Sequence, residues 1–400
     1  MVVTDRFNPI VFDLGSSSAR VGWAGTDQPK YVESSLMGRK LSDGTIDPSP
    51  LRFGNKKYTE PIDPVRCVSY YDGEWSIDPE ILAPITDTLC FSSRGLNANA
   101  FERPIITTCP STSPSSYKKI LFEHFMETVQ APAFFVGDTS VLSIYATGRV
   151  SGICVDIGAC ATSMSVVDKG QVVQSYTYAV GGDFIDQFVL SRLGESISVP
   201  MSDMTDNFLL EMKLSTIREI KHAACKCSHH SLPTSQVSPA GRSARNQRKS
   251  ASGNGSIHSP QGSITGHHAE TFRLPDGTDL DVSSVSEQAA EQLFRNHDGG
   301  YPGLSEALKA VLSEASDIDD PFVVLTGGSS QFHGLHTRLV HETESMERPP
   351  LIFPFSQWTH RSYSGYVGAS ILASLSSFAS LWVTPSSYSE QGVDRLINTQ

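Results

Sequence analysis

The sequence predicts an α/β fold, and three observations carry that prediction. Apolar strand-like runs alternate with segments of helical periodicity over most of the 400 residues, the pattern of sheets covered by helices. Two stretches, "IVFDLGSSSARVG" from Ile10 and "GICVDIGACATSMSVV" from Gly152, share one plan: an apolar run, then Asp, an apolar residue, Gly and small residues, then a second run. A glycine pair in "VVLTGGSS" joins a further strand to a helix. Together the two Asp-Gly turns point to a duplicated unit whose hairpin tips face each other across a cleft.

Length allows two to three domains and a sizeable buried core. With 39% hydrophobic and 18% charged residues, composition is that of an ordinary globular chain, and no apolar run reaches the length of a membrane span. No membrane partner is therefore expected. The start "MVVTDRFNPI" is too short and polar for a secretory signal, so an intracellular protein is expected. Seven cysteines, an odd number without the spacing of a disulfide framework, agree with that. A net charge of −12 disfavours a general nucleic-acid or membrane surface.

Ile10 to Gly25 reads as two strands around a tight turn. "SSYKKILFEHFMETVQ" places Ile120, Leu121, Phe125, Met126 and Val129 at helical spacing, with Ser115 and Ser116 as expected caps for the first-turn N–H groups. "GICVDIGACATSMSVVDKGQVVQSYTYA" reads as a three-strand meander with turns at 158–160 and 168–170. "DNFLLEMKLSTIREIKHAACK" is a long helix, and "CKCSHH" behind it reads as the helix end, because its spacing is not that of a tetrahedral zinc site. Residues 228–269 hold no acidic residue and are rich in Ser, Gly, Pro and His, with Arg242, Arg245, Arg248 and Lys249 close together. Such a stretch buries too little apolar surface to offset its ordering entropy, so a disordered basic insertion is expected. A solvated loop, a DNA or histone contact and an import signal all remain open for it. "PFVVLTGGSSQFHGLHTRLVHE" is a buried strand, a glycine turn and an amphipathic helix.

Either Asp-Gly turn alone is an ordinary hairpin tip, and a Gly-Gly pair an ordinary turn. Three in this order suit a nucleotide. Small residues let backbone N–H groups approach phosphate oxygens as an anion-binding nest. Asp13 and Asp156 are too repulsive to touch phosphate but can hold it through Mg²⁺ and its waters. Arg20 can neutralise phosphate from the side as a planar fork. Gly327 and Gly328 let backbone pack against a nucleoside.

In its motifs the chain resembles the actin family, within the actin, Hsp70 and sugar-kinase superfold. "SGYVGASILASLSSFASLWVTPSSYSEQG" is similar to the closing helices of actins almost position by position, and "PAFFVGDTSVLSIYATGR", "LPDG" and "TGGSSQFHGL" add to the likeness. The resemblance implies two duplicated RNase H-like lobes around a nucleotide cleft. Residues 1–34, 76–146 and 364–400 would form the large subdomain of the first lobe, and 35–75 its small one. Residues 147–182 and 305–363 would form the large subdomain of the second lobe, and 183–304 its small one. ATP and Mg are the implied cofactors. Asp13, Gly15, Ser16, Ser17 and Arg20 fall on the first phosphate loop, and Asp156, Gly158 and Ala159 on the second. Gly182, Lys221, Gly327, Gly328, Ser329 and Phe332 fall where the family lines the adenosine, Phe332 near the base.

Departures from conventional actin matter as much. Arg20 stands where actins carry lysine, and Ala159 and His222 replace an aspartate and a ribose-contacting glutamate. Thr139 and Ser163 stand where actins orient the attacking water with glutamine and histidine. Neither hydroxyl replaces the reach and basicity of that pair, so slow or absent hydrolysis is expected, with no catalytic residue. Residues 41–53 are shorter and proline-broken at the subunit-binding loop, and 295–302, "RNHDGGYP", replace an apolar plug, so filaments are not expected. The arginine, "DIGA", "GGDFI" and the Cys225/Cys227 pair are similar to the nuclear actin-related protein 4 class. That class implies a nuclear scaffold of chromatin remodelling or histone-modifying complexes, with monomeric actin and a helix of a remodeller ATPase as partners. The alternative is a cytoplasmic, cytoskeletal actin-like protein that hydrolyses ATP and forms filaments or filament-end complexes. A sugar or acetate kinase is disfavoured, because no catalytic carboxylate beside a second substrate pocket stands out.

Overall fold

The structure is a computed structural model that describes residues 8–53, 60–199, 204–232, 270–297, 300–315, 322–355 and 358–397. Strands β1 (Ile10–Leu14), β2 (Ser18–Trp23), β3 (Tyr31–Ser34), β4 (Ile105–Cys109) and β5 (Phe134–Asp138) form one sheet in the order β3-β2-β1-β4-β5. Strands β6 (Gly152–Ile157), β7 (Thr162–Asp168), β8 (Gln171–Tyr178), β9 (Phe322–Thr326) and β10 (Leu351–Ile352) form a second in the order β8-β7-β6-β9-β10. In each, an antiparallel meander of three strands is extended by two parallel ones. The duplication legible in the two Asp-Gly turns is therefore a duplication of sheet topology, and the fold is the expected two-lobed α/β architecture.

The interior strands β1 and β9 are buried at every position, as their largely apolar runs require when helices cover both faces. The first lobe packs on an aromatic cluster in which Phe125 stacks on Phe134 at 4.7 Å and meets Phe12 edge-on at 6.1 Å. A second core gathers Ile153, Val155, Ile217, Ile220, Val323 and Leu325.

The helix read over 115–129 is present but differs at both ends. Its α-helical part runs Ser115–Phe122 and continues as a wider π-helical turn over Glu123–Thr128. Ser115 and Ser116 do not cap it: Pro114 is extended and occupies the N-cap, so both serines already sit inside the first turn. The long helix of the second lobe, Asp206–Ala224, is capped by Thr205 and closed by the Cys225 N–H on the Lys221 carbonyl, so "CKCSHH" does begin at a helix end. Of the basic insertion expected at 228–269, residues 233–269 lie outside the described residues, as do 298–299 of the "RNHDGGYP" stretch. Among the described residues, no helix is long and apolar enough to cross a membrane.

Helix Thr139–Tyr145 packs against both sheets, Leu142 with Val11 and Ile106 of the first and Val141 and Ile144 with Cys154 and Val324 of the second, and it crosses helix Ser364–Ser374. A Cβ on Gly368 would stand 1.8 Å from the Leu142 carbonyl oxygen, so backbone rests on backbone there. Ser364 Oγ donates to Ser143 Oγ at 3.1 Å beside that contact. Gly368→Ala is expected to cost about 1–3 kcal/mol by forcing the helices apart. A chemical denaturation curve with an unchanged midpoint would show that the crossing has slack.

Candidate functional site

Between the lobes lies a cavity of about 1340 Å³. Asp13, Gly15, Ser16, Ser17 and Arg20 line it from the first sheet, and Asp156, Gly158 and Ala159 from the second. Gly182, Lys221, Gly327, Gly328, Ser329 and Phe332 complete the wall. The structure thus brings together in one cleft all the positions singled out in the sequence.

Asp13 lies near the end of β1 directly opposite Arg20 on β2. Arg20 Nη1 donates to Asp13 Oδ2 at 2.9 Å, and Thr108 Oγ1 donates to Asp13 Oδ1 at 2.7 Å. Both carboxylate oxygens are thereby fixed. This modifies the role expected for Arg20: one arm of its fork is engaged by Asp13, and only the remaining donors are free for an anion. At the turn the Gly15 N–H closes on the Ser18 carbonyl at 3.0 Å. Among the described residues, the N–H groups of Ser16 and Ser17 take no backbone acceptor.

The second turn repeats this. Gly158 N–H closes on the Ala161 carbonyl at 2.9 Å, and the N–H groups of Ala159 and Cys160 take no backbone acceptor. The Gly182 N–H and Ser329 Oγ both bond the Gly158 carbonyl, at 2.9 and 3.1 Å, so the turn is braced from two sides. Gly327 must be glycine: its φ is +85°, and a Cβ would lie 2.4 Å from Asp156 Oδ1. Burial, and then the charge of Asp13 across the cleft, push the Asp156 carboxyl up to about 6 from its ordinary 3.8.

Lys221 is less free than its sequence position suggests. Its Nζ pairs with Asp186 Oδ1 at 2.5 Å and donates to the Gly182 carbonyl at 3.1 Å, while Arg218 Nε holds the other Asp186 oxygen at 3.1 Å. Phe332 is only 9% exposed and belongs to the second core, so it offers the cavity little more than an edge. His222 also lines the cavity, and burial, then the Lys221 charge, lower its pKa and favour the neutral ring. Arg361 was missed in the sequence. It lines the cavity, donates Nη1 to the Ser330 carbonyl at 3.1 Å, and its Nε is buried without a hydrogen-bond partner. Nothing around "THRSYSG" marks it, because its neighbour Ser330 is 31 residues away.

The two positions expected to govern hydrolysis are both committed to protein. Thr139 Oγ1 donates to the Cys109 carbonyl at 2.9 Å, and Ser163 Oγ pairs with Thr177 Oγ1 at 2.9 Å. Beside Thr139, the Asp138 carboxylate is turned into its helix cap, accepting from Ser140 N, Val141 N and Ser111 Oγ. The cleft therefore has anion-binding turns and paired carboxylates, while the groups nearest the hydrolytic positions are already hydrogen-bonded.

A family profile described as Actin matches residues 4–399. The chain belongs to the actin family. Members of the actin family bind a nucleotide with a divalent metal. The chain is similar to actin-like protein 9 of Mus musculus, 28% identical over 419 residues, covering 98% of this chain and 89% of that protein. The same protein of Bos taurus is 27% identical over 98% of this chain and 88% of its own length, and that of Rattus norvegicus 26% over 98% and 89%. These relatives establish an actin-related protein and lend no support to the nuclear actin-related protein 4 subclass.

The residues present fit a divalent metal with a nucleotide: two carboxylates converge on a cleft edged by open N–H groups, and the charge on one is held back by the other. The sign of the resulting pH dependence follows from linkage. An aspartate whose pKa is raised on folding binds its proton more tightly in the folded state, so it contributes falling stability as pH rises toward about 6. A cation between the carboxylates removes that penalty. Thermal stabilisation by Mg²⁺ with ATP is therefore expected to grow from about pH 5 to about pH 7, and Asp156→Asn to flatten the growth. Equal stabilisation at both pH values in the unaltered chain would contradict the assignment of Asp156.

Proposed function

We propose that this actin-related protein holds ATP with Mg²⁺ as a structural ligand and acts as a non-filamentous scaffold subunit. The observation that carries this reading is the contrast within one cleft: both phosphate turns keep their open N–H groups, while Thr139 and Ser163 are hydrogen-bonded to protein. Asp13 and Asp156 would hold the metal through water, and the Ser16, Ser17, Ala159 and Cys160 N–H groups the phosphates. Mg²⁺ supplies neutralisation of phosphate charge. Arg361 offers the cavity its spare donors. Binding of this kind appears as stability of the closed form, about 2.7 kcal/mol at a ligand concentration a hundredfold above Kd.

Two segments support the non-filamentous part. Leu51 in the 41–53 stretch is 5% exposed and packs inside the molecule with Leu36, Ile62 and Phe208, instead of being offered outward. In the 295–302 stretch, Tyr301 is buried and donates its hydroxyl to the Leu293 carbonyl at 2.6 Å. Burial inside leaves less apolar surface for a neighbouring subunit. The nuclear setting, with monomeric actin and a remodeller helix as partners and the insertion as a DNA or histone contact, rests on resemblance alone. The cytoskeletal enzyme or polymer is the competing reading.

Chain loaded with ATP and followed through a single turnover is expected to retain ATP, and γ-phosphate release at an actin-like rate would sink the structural-ligand reading. Thr139→Gln combined with Ser163→His is expected to raise hydrolysis by about tenfold or more, by restoring groups that can orient water. Affinity purification of the tagged chain from its own cells decides the setting. Recovery of a remodeller ATPase with monomeric actin supports the nuclear scaffold, and recovery of filament-associated proteins supports the cytoskeletal alternative.

A further inference from the structure

We infer that Arg361 equips the cleft for 6-oxopurine nucleotides, those of guanine or hypoxanthine, by donating to O6 and N7 of the base. The inference rests on the nucleotide reading of the cleft and names the base that its nucleoside end receives. Every other arginine or lysine lining the cavity is already neutralised: Arg20 by Asp13, Arg218 by Asp186 and Glu211, Lys221 by Asp186, and Lys226 by Glu270. Among the described residues Arg361 forms no ion pair, and burial lowers its pKa with no carboxylate acting against it. Its Nε is buried without a hydrogen-bond partner. A desolvated cation with open donors is costly until acceptors reach it, and a ligand in the cavity can bring them.

The acceptors belong to the base by position. The Arg361 carbonyl accepts from the Gly327 N–H at 3.1 Å and from Thr326 Oγ1 at 3.0 Å, and Arg361 Nη1 donates to the Ser330 carbonyl at 3.1 Å. Backbone and guanidinium are thus both fixed to the 326–330 segment, the wall expected to line the nucleoside. A Cβ built on Gly328 would meet nothing within 4 Å, which leaves room for a flat ring over this turn. The phosphate turns bring their own open N–H groups at Ser16, Ser17, Ala159 and Cys160, so the phosphates do not depend on Arg361. With one Nη1 hydrogen spent on Ser330, the Nε hydrogen and the rest of the fork remain. A guanidinium carries donors only, in a rigid plane. Guanine and hypoxanthine present two neighbouring acceptors, O6 and N7, whereas adenine places an amino donor beside N7. The fork can meet the first pair with two hydrogen bonds and the second with one.

Calorimetric titration of the nucleotide-free full chain with ATP, GTP and ITP, each with Mg²⁺, tests this. GTP and ITP are expected to bind at least as tightly as ATP. In the same chain 7-deaza-GTP, which lacks the N7 acceptor, is expected to bind about tenfold more weakly than GTP. Arg361→Ala is expected to lower the GTP-to-ATP affinity ratio by about tenfold, and Arg361→Gln, whose amide pairs with the adenine edge, to lower it further. If GTP or ITP binds the unaltered chain more weakly than ATP, or 7-deaza-GTP binds it as tightly as GTP, the inference is overturned. Equal loss of all three nucleotides in Arg361→Ala overturns it as well, because that puts the guanidinium on the phosphates. Each of these outcomes leaves the nucleotide reading standing. If no triphosphate binds the unaltered chain, that reading fails and the base assignment fails with it.

Discussion

The structure turns on two carboxylates held facing each other across a cleft. Asp13 and Asp156 each lie near the C-terminal end of the central strand of their sheet, and each is followed by a glycine-containing turn that aims N–H groups into the same space. Burial, and then the like charge of Asp13 across the cleft, push the Asp156 carboxyl up. Arg20 and Thr108 hold Asp13 by hydrogen bonds, whereas among the described residues no hydrogen bond is made to the Asp156 carboxylate and the Arg20 charge only partly offsets its upward shift. That asymmetry leaves a site whose electrostatics improve when a cation enters.

What the sequence made legible was what is local. A strand, a turn and a returning strand lie within about fifteen residues, so the Asp-Gly turns and the meander could be read from pattern and turn chemistry, while the Asp13–Arg20 pair, seven residues apart and opposite in register, came only with the structure. The same holds for Gly327, whose turn requires a positive φ. Contacts between distant segments left no such mark. Thr108 reaches Asp13 only because β4 lies parallel to β1, 95 residues away. The pairing of Lys221 with Asp186, 35 positions earlier, left no mark in the sequence. The cap expected from Ser115 and Ser116 failed for a local reason: Pro114 is suited to the extended N-cap position, and the helix starts one residue sooner than the serines suggested.

The 41–53 stretch shows the same limit more sharply. Phe53 and Phe208 lie far apart in the chain and neither periodicity nor composition links them, yet their rings lie 5.3 Å apart. Read as sequence, that stretch had lost the features of a subunit-binding loop. In the structure, Leu51 and Phe53 pack with Phe208 while Leu41 stays exposed.

Backbone and side chains of the cleft respond differently to substitution. The backbone N–H groups of the turns survive side-chain replacement: Ala159 presents the same N–H as an aspartate would. Hydrolysis needs side chains of a particular length and basicity, and at Thr139 and Ser163 short neutral hydroxyls are drawn into the protein's own hydrogen bonds. A neighbouring chain of hydroxyls, Ser111 to Ser140 to Ser165 to Ser175 at 2.6, 2.9 and 2.8 Å, repeats the pattern. Neutral donors and acceptors there satisfy one another. Side-chain replacement removes such chemistry while the fold keeps the backbone geometry, so the turns keep their form where the side chains at 139 and 163 have become short hydroxyls.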